Sequence, residues 1–405
     1  MQARELGKRQ SSSPFHDTND VYNFEYKLKN ALSLLERAKI SPQDKQKILD
    51  FVDLLKALRV SKGRIAKYIL HLKVIGENLG LQFEQATRKD IEHFVASWLY
   101  EQKYSAETTA DYIMVLKRFY KYLRNGNVDK DTPFPEEVRW LKKTIKPNER
   151  KEPEFLTPQE VEALIAAAET IRDKCMIAVQ FDGGFRPGEH LGINVGDVHL
   201  DEKGARILVR GKTGERVVRV ISCAGLLAQY LETHQFRDQP EAPLWLTEST
   251  NYRFQRLGWT RWNKILKKAW RDAQIKKTRL YSRMLRHGSA TESARFLSDS
   301  ELKVKHGWTM GSRMPAVYVH LSGKDLDDKL VGIYTGKEVK PKGPEFAPII
   351  CPRCKASCTP GLAYCGHCGT PLDQKSISTE TSELQMMWKE LQRLQELIVQ
   401  GLNKK

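Results

Sequence analysis

The 405-residue sequence contains no run of about 18 apolar residues, so no transmembrane helix and no membrane partner is expected. Its opening stretch, MQARELGKRQSSSPFHDTND, has no apolar segment of the kind a secretory signal needs, and residues 1–20 read as a disordered polar tail. No internal repeat is visible. Acidic residues are in short supply: 50 Asp and Glu stand against 67 Lys and Arg, which leaves a net charge of +17 and a pI near 9.4. A surplus of that size points to a polyanion, most often nucleic acid, with a merely solvated basic surface as the plainer alternative. Cysteine is almost missing from most of the chain. Of seven, only Cys175 and Cys223 lie outside residues 351–368, and they read as core thiols. An odd number crowded into one short segment argues for a metal site in a reducing compartment and against a disulfide framework. A cytoplasmic location, on the nucleoid when bound to DNA, follows from these readings.

What is present suits two or three soluble domains, because 40% hydrophobic and 29% charged residues make an ordinary globular balance. Residues 21–140 read as an all-helical domain. Ser41-Pro42-Gln43-Asp44 caps a helix in which Ile48, Leu49, Val52, Leu55 and Leu58 recur at helical spacing. A later helix, from about Ala106 to Leu123, sets an apolar face against a row of Lys117, Arg118, Lys121 and Arg124. On a basic chain that row is a candidate for phosphate contacts, although a solvated face is the default for one helix alone. Residues 141–154, charged and containing two prolines, read as a basic linker.

Residues 155–337 read as mixed α and β. Thr157-Pro158-Gln159-Glu160 is a capping box that opens an apolar helix. Ala205–Ile221 reads as a hairpin turning at Gly211-Lys212-Thr213-Gly214. Within this region lie Gly184-Phe185-Arg186-Pro187-Gly188-Glu189, then Arg283-Met284-Leu285-Arg286-His287, then His306-Gly307-Trp308, and Tyr318 ten residues later.

At these boxes the chain resembles the tyrosine recombinases, which include phage and archaeal integrases and Xer-type resolvases. That family shows a G-x-R-x-x-E box, a lysine in a hairpin turn, an H-x-x-R box, a G-H or G-W pair and a tyrosine about ten residues on. Each box alone is weak, but five in the right order are specific. The resemblance extends over roughly residues 20–335. It implies a SAM-like core-binding domain followed by an α+β catalytic domain. It also implies double-stranded DNA as substrate, with a dimer on one site and a tetramer in the synapse, and cutting and rejoining through a 3′-phosphotyrosyl intermediate.

Residue by residue, the resemblance makes Tyr318 the nucleophile. Arg186 and Arg286 become the guanidinium pair that clamps the phosphate oxygens bidentately, a task lysine would do less well. Lys212 is the candidate acid for the leaving 5′ oxygen, and Trp308 the side chain packed beside the phosphate. Glu189 is expected behind Arg186, orienting it. One position departs from the pattern. Arg283 stands where the family usually has histidine, and arginine cannot serve as a base. Arg283 can still donate to a phosphate oxygen; His287 is the nearest replacement base, although a supporting role suits its place after Arg286. Tyr281 and Tyr334 are less suitably placed than Tyr318. The link to tyrosine keeps the bond energy, so catalysis needs no cofactor.

Cys351-x-x-Cys354 and Cys365-x-x-Cys368, ten residues apart, have zinc-ribbon spacing within residues 348–373, and one structural zinc is expected. Cys358 is left over, and His367 inside the second knuckle is expected to point outward. In residues 380–403, Leu384, Met387, Leu391, Leu394 and Ile398 form a heptad-like seam, as apt for docking on a core as for self-association. A short amphipathic helix is expected after Tyr318, over 321–333. Two other classes compete with the recombinase reading. A DNA-binding regulator that has lost cutting would fit Arg283, and an adaptor built on the ribbon and last helix would leave the boxes unexplained. A type IB topoisomerase shares the chemistry but not the box spacing. The added ribbon and tail lean towards a mobile-element or viral integrase.

Overall fold

In a computed structural model, residues 20–142, 154–211, 214–248, 253–277, 279–321, 324–336 and 343–373 are described, with a few positions between 376 and 393. Almost all of the expected tail and linker, Lys212, and most of the 380–403 helix lie outside the described residues. Of its seam, Met387 and Leu391 are helical and exposed. The chain divides into two compact units, residues 23–152 and residues 153–405 together with the first 22.

The first unit is helical: α1 (Phe24–Glu36), α2 (Pro42–Ala57), α3 (Lys62–Leu79), α4 (Arg88–His93), a π-helical turn at Phe94–Leu99, α5 (Ala106–Asn125) and α6 (Glu136–Arg139). Helix α2 begins where the cap predicts, with the Ser41 hydroxyl accepting from the Asp44 N–H at 3.0 Å and Pro42 in the first turn. Phe51, Phe83, Phe119 and Tyr120 fill the centre.

The basic row on α5 is not the open face expected of it. Lys117 and Lys121 are only 9% and 4% exposed. The Lys117 ammonium donates to the Leu141 carbonyl at 2.7 Å, and Lys121 donates to the Asp129 carbonyl. Arg118 lies over the Tyr68 ring, and Arg124 pairs with Glu137 at 2.8 Å. The unit closes its 127–141 loop by satisfying backbone carbonyls with these cations, because a buried carbonyl without a donor is costly. As placed, Lys117 and Lys121 are engaged with these carbonyls, while Arg118 is half-buried and Arg124 is exposed.

The second unit runs α7 (Pro158–Ala167), α8 (Ile171–Asp182), α9 (Pro187–Leu191), β1 (Val198–Asp201), β2 (Gly204–Gly211), β3 (Gly214–Val220), α10 (Ala224–Glu232), α11 (Trp259–Asp272), α12 (Arg283–Ser293), α13 (Asp299–His306), α14 (Met314–Leu321) and α15 (Lys324–Thr335). The capping box at Thr157 forms as expected. The strands make one antiparallel sheet in the order β1-β2-β3, and the register puts Gly211 opposite Gly214 at the hairpin tip. The expected hairpin is present; the short β1 was not foreseen. Apolar α8 is nearly enclosed by α7, α10 and α12, and its end delivers the Gly184–Arg186 turn. Tyr22 belongs here and not with the helical domain: it stacks near Trp259, with centroids 6.2 Å apart. The expected helix after Tyr318 is α15, although the side chains of residues 320–329 lie outside the description.

The cysteine segment forms a small two-stranded piece, β4 (Ile349–Ile350) with β5 (Ser357–Cys358). It is tied to the rest of the unit through Phe346, which is 4% exposed and meets Phe181 edge-on at 5.0 Å. The Ser222 hydroxyl donates to the Phe346 carbonyl at 2.5 Å, and the Glu345 N–H donates to Glu292 at 2.6 Å. Among the described residues, no helix is long and apolar enough to cross a membrane.

Candidate active site

Arg186 caps α9, with Pro187 at the first helical position, and its own N–H donates to Glu189 Oε2 at 2.9 Å. Its guanidinium reaches Glu189 Oε1 at 2.6 Å and the Gly307 carbonyl at 3.0 Å. Arg286, on α12, donates to the Gly184 carbonyl at 2.8 Å and to the His306 carbonyl at 2.6 Å. The two guanidiniums are therefore held side by side by neighbouring carbonyls at the C-terminal end of α13, where unpaired carbonyls and the negative end of the helix dipole favour cations. Burial, reinforced by the charge of Arg186, pushes Arg286 down to about 9, which leaves it protonated at neutral pH.

Glu189 is 3% exposed and sits beneath the pair. Burial alone would raise its carboxyl, but the guanidiniums of Arg216 and Arg186 outweigh that and hold it below its usual range. Arg216, on β3, was not singled out from the sequence. It donates to Glu189 Oε2 at 2.9 Å and to the Lys305 carbonyl at 3.3 Å. The signal was available: strand alternation puts Arg216 on the same face as buried Val218 and Val220, and a charge on a core-facing register needs a buried partner.

Two glycines are required by this arrangement. Gly184 has φ +59°, and a Cβ there would come within 2.4 Å of the His306 ring. Gly307, at the end of α13, has φ +58°, and a Cβ there would stand 2.6 Å from Arg216 Nη1. Both positions combine a left-handed backbone with no free space.

Tyr318, on α14, is brought to these arginines and is only 1% exposed. Its ring stacks on Trp308 with centroids 5.5 Å apart and planes at 7°, and the other side of the site has the Arg286 guanidinium 5.6 Å from the Trp308 ring. The Tyr318 hydroxyl lies 2.6 Å from His287 Nδ1. His287, expected in a supporting role, thus touches the candidate nucleophile directly. Burial raises the phenol above its ordinary value, with Arg286 and Arg283 pulling it back. Arg283 is exposed at the first residue of α12. Tyr334, by contrast, is exposed on α15. Lys212 lies outside the described residues. Gly211, just before it, is packed so that a Cβ would meet Glu189 Oε1 at 2.7 Å, which puts the base of the hairpin against the arginine box.

The four cysteines 351, 354, 365 and 368 have sulfurs within 4.8 Å of one another, with Cys351–Cys368 at 3.6 Å and Cys354–Cys365 at 3.7 Å. Four sulfurs each about 2.3 Å from one tetrahedral zinc would stand about 3.8 Å apart, so the donor set fits that ion. Cys358 is buried outside the group, and His367 is exposed as expected.

Residues 154–324 match the model of the Phage integrase family, and residues 48–126 that of the Phage integrase N-terminal SAM-like domain. Similar curated proteins include the tyrosine recombinase XerD of Pseudomonas aeruginosa, 30% identical over 38% of this chain and 50% of its own. The tyrosine recombinase XerC of Natranaerobius thermophilus is 29% identical over 49% of this chain and 66% of its own. The chain thus spans half to two thirds of the length of these relatives. Solved structures of similar fold include the XerH site-specific recombinase bound to palindromic difH in a post-cleavage complex, with a TM-score of 0.55 at 18% identity over 77% of this chain and 95% of that one. A lambda integrase dimer bound to a COC′ core site gives 0.54 at 16% identity over 67% of this chain and 76% of that one.

Proposed function

The chain belongs to the phage integrase family, and from that premise we propose that it is a site-specific tyrosine recombinase, cutting and rejoining duplex DNA through a 3′-phosphotyrosyl link to Tyr318. The observation that carries the reading is the convergence of Arg186, Arg286, Trp308 and Tyr318 from α9, α12, the turn after α13, and α14. A DNA-binding regulator would not need a phenol aligned beside two clustered guanidiniums.

In this mechanism the non-bridging oxygens of the scissile phosphate take the outer N–H groups of Arg186 and Arg286. Negative charge grows on those oxygens as Tyr318 Oη attacks, and donors aimed at it are worth about 3–4 kcal/mol each. Glu189, shared by Arg186 and Arg216, fixes the direction of the clamp. Lys212, next in sequence after Gly211, is assigned the proton given to the leaving 5′ oxygen. Trp308 fills the space between Arg286 and Tyr318. Arg283, exposed at the rim, is available to a phosphate oxygen.

The same reading supplies the partners. DNA-bound dimers and tetramers are described for lambda integrase, and we extend them to this chain as a dimer on one site and a tetramer in the synapse. The four cysteines are proposed to hold one structural zinc, and the 380–403 helix to serve self-association. The ribbon and tail favour a viral or mobile-element integrase, acting on the nucleoid.

The test is covalent trapping. Wild type and Tyr318→Phe are incubated with nicked duplexes tiled across the DNA flanking the gene, then run on a denaturing gel. A denaturant-resistant band with wild type, missing from the variant, is the expected outcome. Tight binding of both proteins with no band on any tile, or an equal band from Tyr318→Phe, would sink the proposal.

A further inference from the structure

The proton on Tyr318 has to go somewhere, and the usual histidine position holds an arginine. Arg283 is exposed and cannot accept a proton. Among the described residues, the Tyr318 hydroxyl meets one basic atom, His287 Nδ1 at 2.6 Å, with the two rings 5.9 Å apart at 27°. That distance is at the short end for a hydroxyl hydrogen bond and leaves the donor no reach to spare. We propose that His287 is the general base that takes the Tyr318 proton, in place of the residue at position 283. The proposal rests on the recombinase reading and assigns a group within the same site.

The geometry has three parts. Helix α12 carries Arg283 and His287 four residues apart, so both lie on one face, next to α14. Arg286, on the same helix, points to the phosphate clamp, so one element positions both the proton acceptor and a phosphate ligand. The Tyr318 ring is also stacked on Trp308, which holds the phenol in place for transfer.

The charged and titratable groups facing His287 are Arg283 and Arg286 on its own helix and Tyr318 on α14, with Tyr281 acting on Tyr318 from the segment before α12. Burial and then the two arginine charges push His287 down to about 4, so the ring is neutral and able to accept at any physiological pH. A bound phosphodiester places negative charge between those arginines and offsets their field on the ring. The base therefore gains strength when substrate arrives, which suits a nucleophile that must stay idle on free protein.

The step balances without a further reactant. The Tyr318 O–H bond breaks and its proton moves to His287 Nδ1. The oxygen forms a bond to phosphorus, the bond from phosphorus to the 5′ oxygen breaks, and Lys212 gives that oxygen its proton. In resealing, the 5′ hydroxyl gives its proton back to Lys212 as its oxygen bonds to phosphorus, the bond from phosphorus to the tyrosine oxygen breaks, and His287 returns its proton to that oxygen.

The experiment measures the rate of the covalent band on a tile that wild type cuts, for wild type, His287→Ala and His287→Gln, from pH 6 to 8 and with added imidazole. DNA binding and thermal midpoint are measured alongside to show that each variant is folded. Expected are rates about 10²–10⁴-fold lower for both variants at pH 7. The wild-type rate should change little with pH, while that of His287→Ala rises as hydroxide takes over. Imidazole should restore His287→Ala and leave His287→Gln slow, because glutamine fills the space without being a base. A folded His287→Gln that links DNA at the wild-type rate, or a slow His287→Ala that imidazole does not help, overturns the assignment. Wild type that links to no tile would instead bring down the recombinase reading itself, and this proposal with it.

Discussion

His190 has no exposed surface and, among the described residues, neither ring nitrogen has a hydrogen-bond partner; it lies among Phe185, Trp245 and Trp262. Burial pushes it down to about 3, and His306, also buried, is pushed well below its ordinary value. Both fold as neutral rings, whereas the unfolded chain protonates them near pH 6.5. The stability tied to their neutrality is complete above about pH 6.5 and is lost as pH falls towards the folded values. Melting curves from pH 8 to 4 should show the second unit losing stability by about 1.4 kcal/mol per pH unit for each such ring. His190→Phe should make that acid limb shallower; an unchanged slope would mean His190 is not buried neutral. Arg286→Lys tests the clamp at the same scale. Lysine keeps the charge but cannot reach both the Gly184 and His306 carbonyls in one plane while facing phosphate. Covalent-band formation should fall about 10²–10³-fold, with DNA binding little changed.

At the scale of elements, the end of α13 is the hinge of the site. Its last residues offer carbonyls to the guanidiniums of Arg186 and Arg286 only because Gly307 turns left-handed there. Gly307→Ala should cost about 1–2 kcal/mol from backbone strain, before any displacement of Arg216 is counted. Chemical denaturation checks the first figure, and covalent trapping reads the loss of the clamp. Helix α5 shows how far an element's surroundings can redirect a pattern. The spacing of Lys117, Arg118, Lys121 and Arg124 is that of a solvated face, and it was legible as such. At Lys117 and Lys121 that face is instead covered by the returning 127–141 loop, whose carbonyls accept from both lysines, while Arg124 stays exposed.

For the second unit as a whole, the cysteine segment is not an appendage on a tether. Phe346 enters the same core as Phe181, one helix end away from Gly184 and Arg186. Phe346→Ala should destabilise the unit by about 3–5 kcal/mol, measured by denaturant unfolding followed through its tryptophans. If the four cysteines hold zinc, Cys354→Ser or a strong chelator should lower the melting midpoint of the whole second unit, because metal binding is linked to the folding of the segment it crosslinks. A midpoint that ignores chelator would show either that no metal is bound or that the ribbon folds apart from the core.

The sequence by itself carried the reaction class proposed for this chain. The boxes around Arg186, Arg286, Trp308 and Tyr318 are short and local, and phosphoryl transfer demands those residue types whatever surrounds them. It also marked the cysteine quartet, since the two C-x-x-C spacings are local, and the caps at Ser41 and Thr157, which act within one helical turn. Only the tertiary structure decided which groups face one another across the chain. Arg216 meets Glu189 from another element, His287 meets a hydroxyl 31 residues away, and Phe346 fills a gap left by α8. These pairings come from packing between segments distant in sequence, where local periodicity carries no information about the partner.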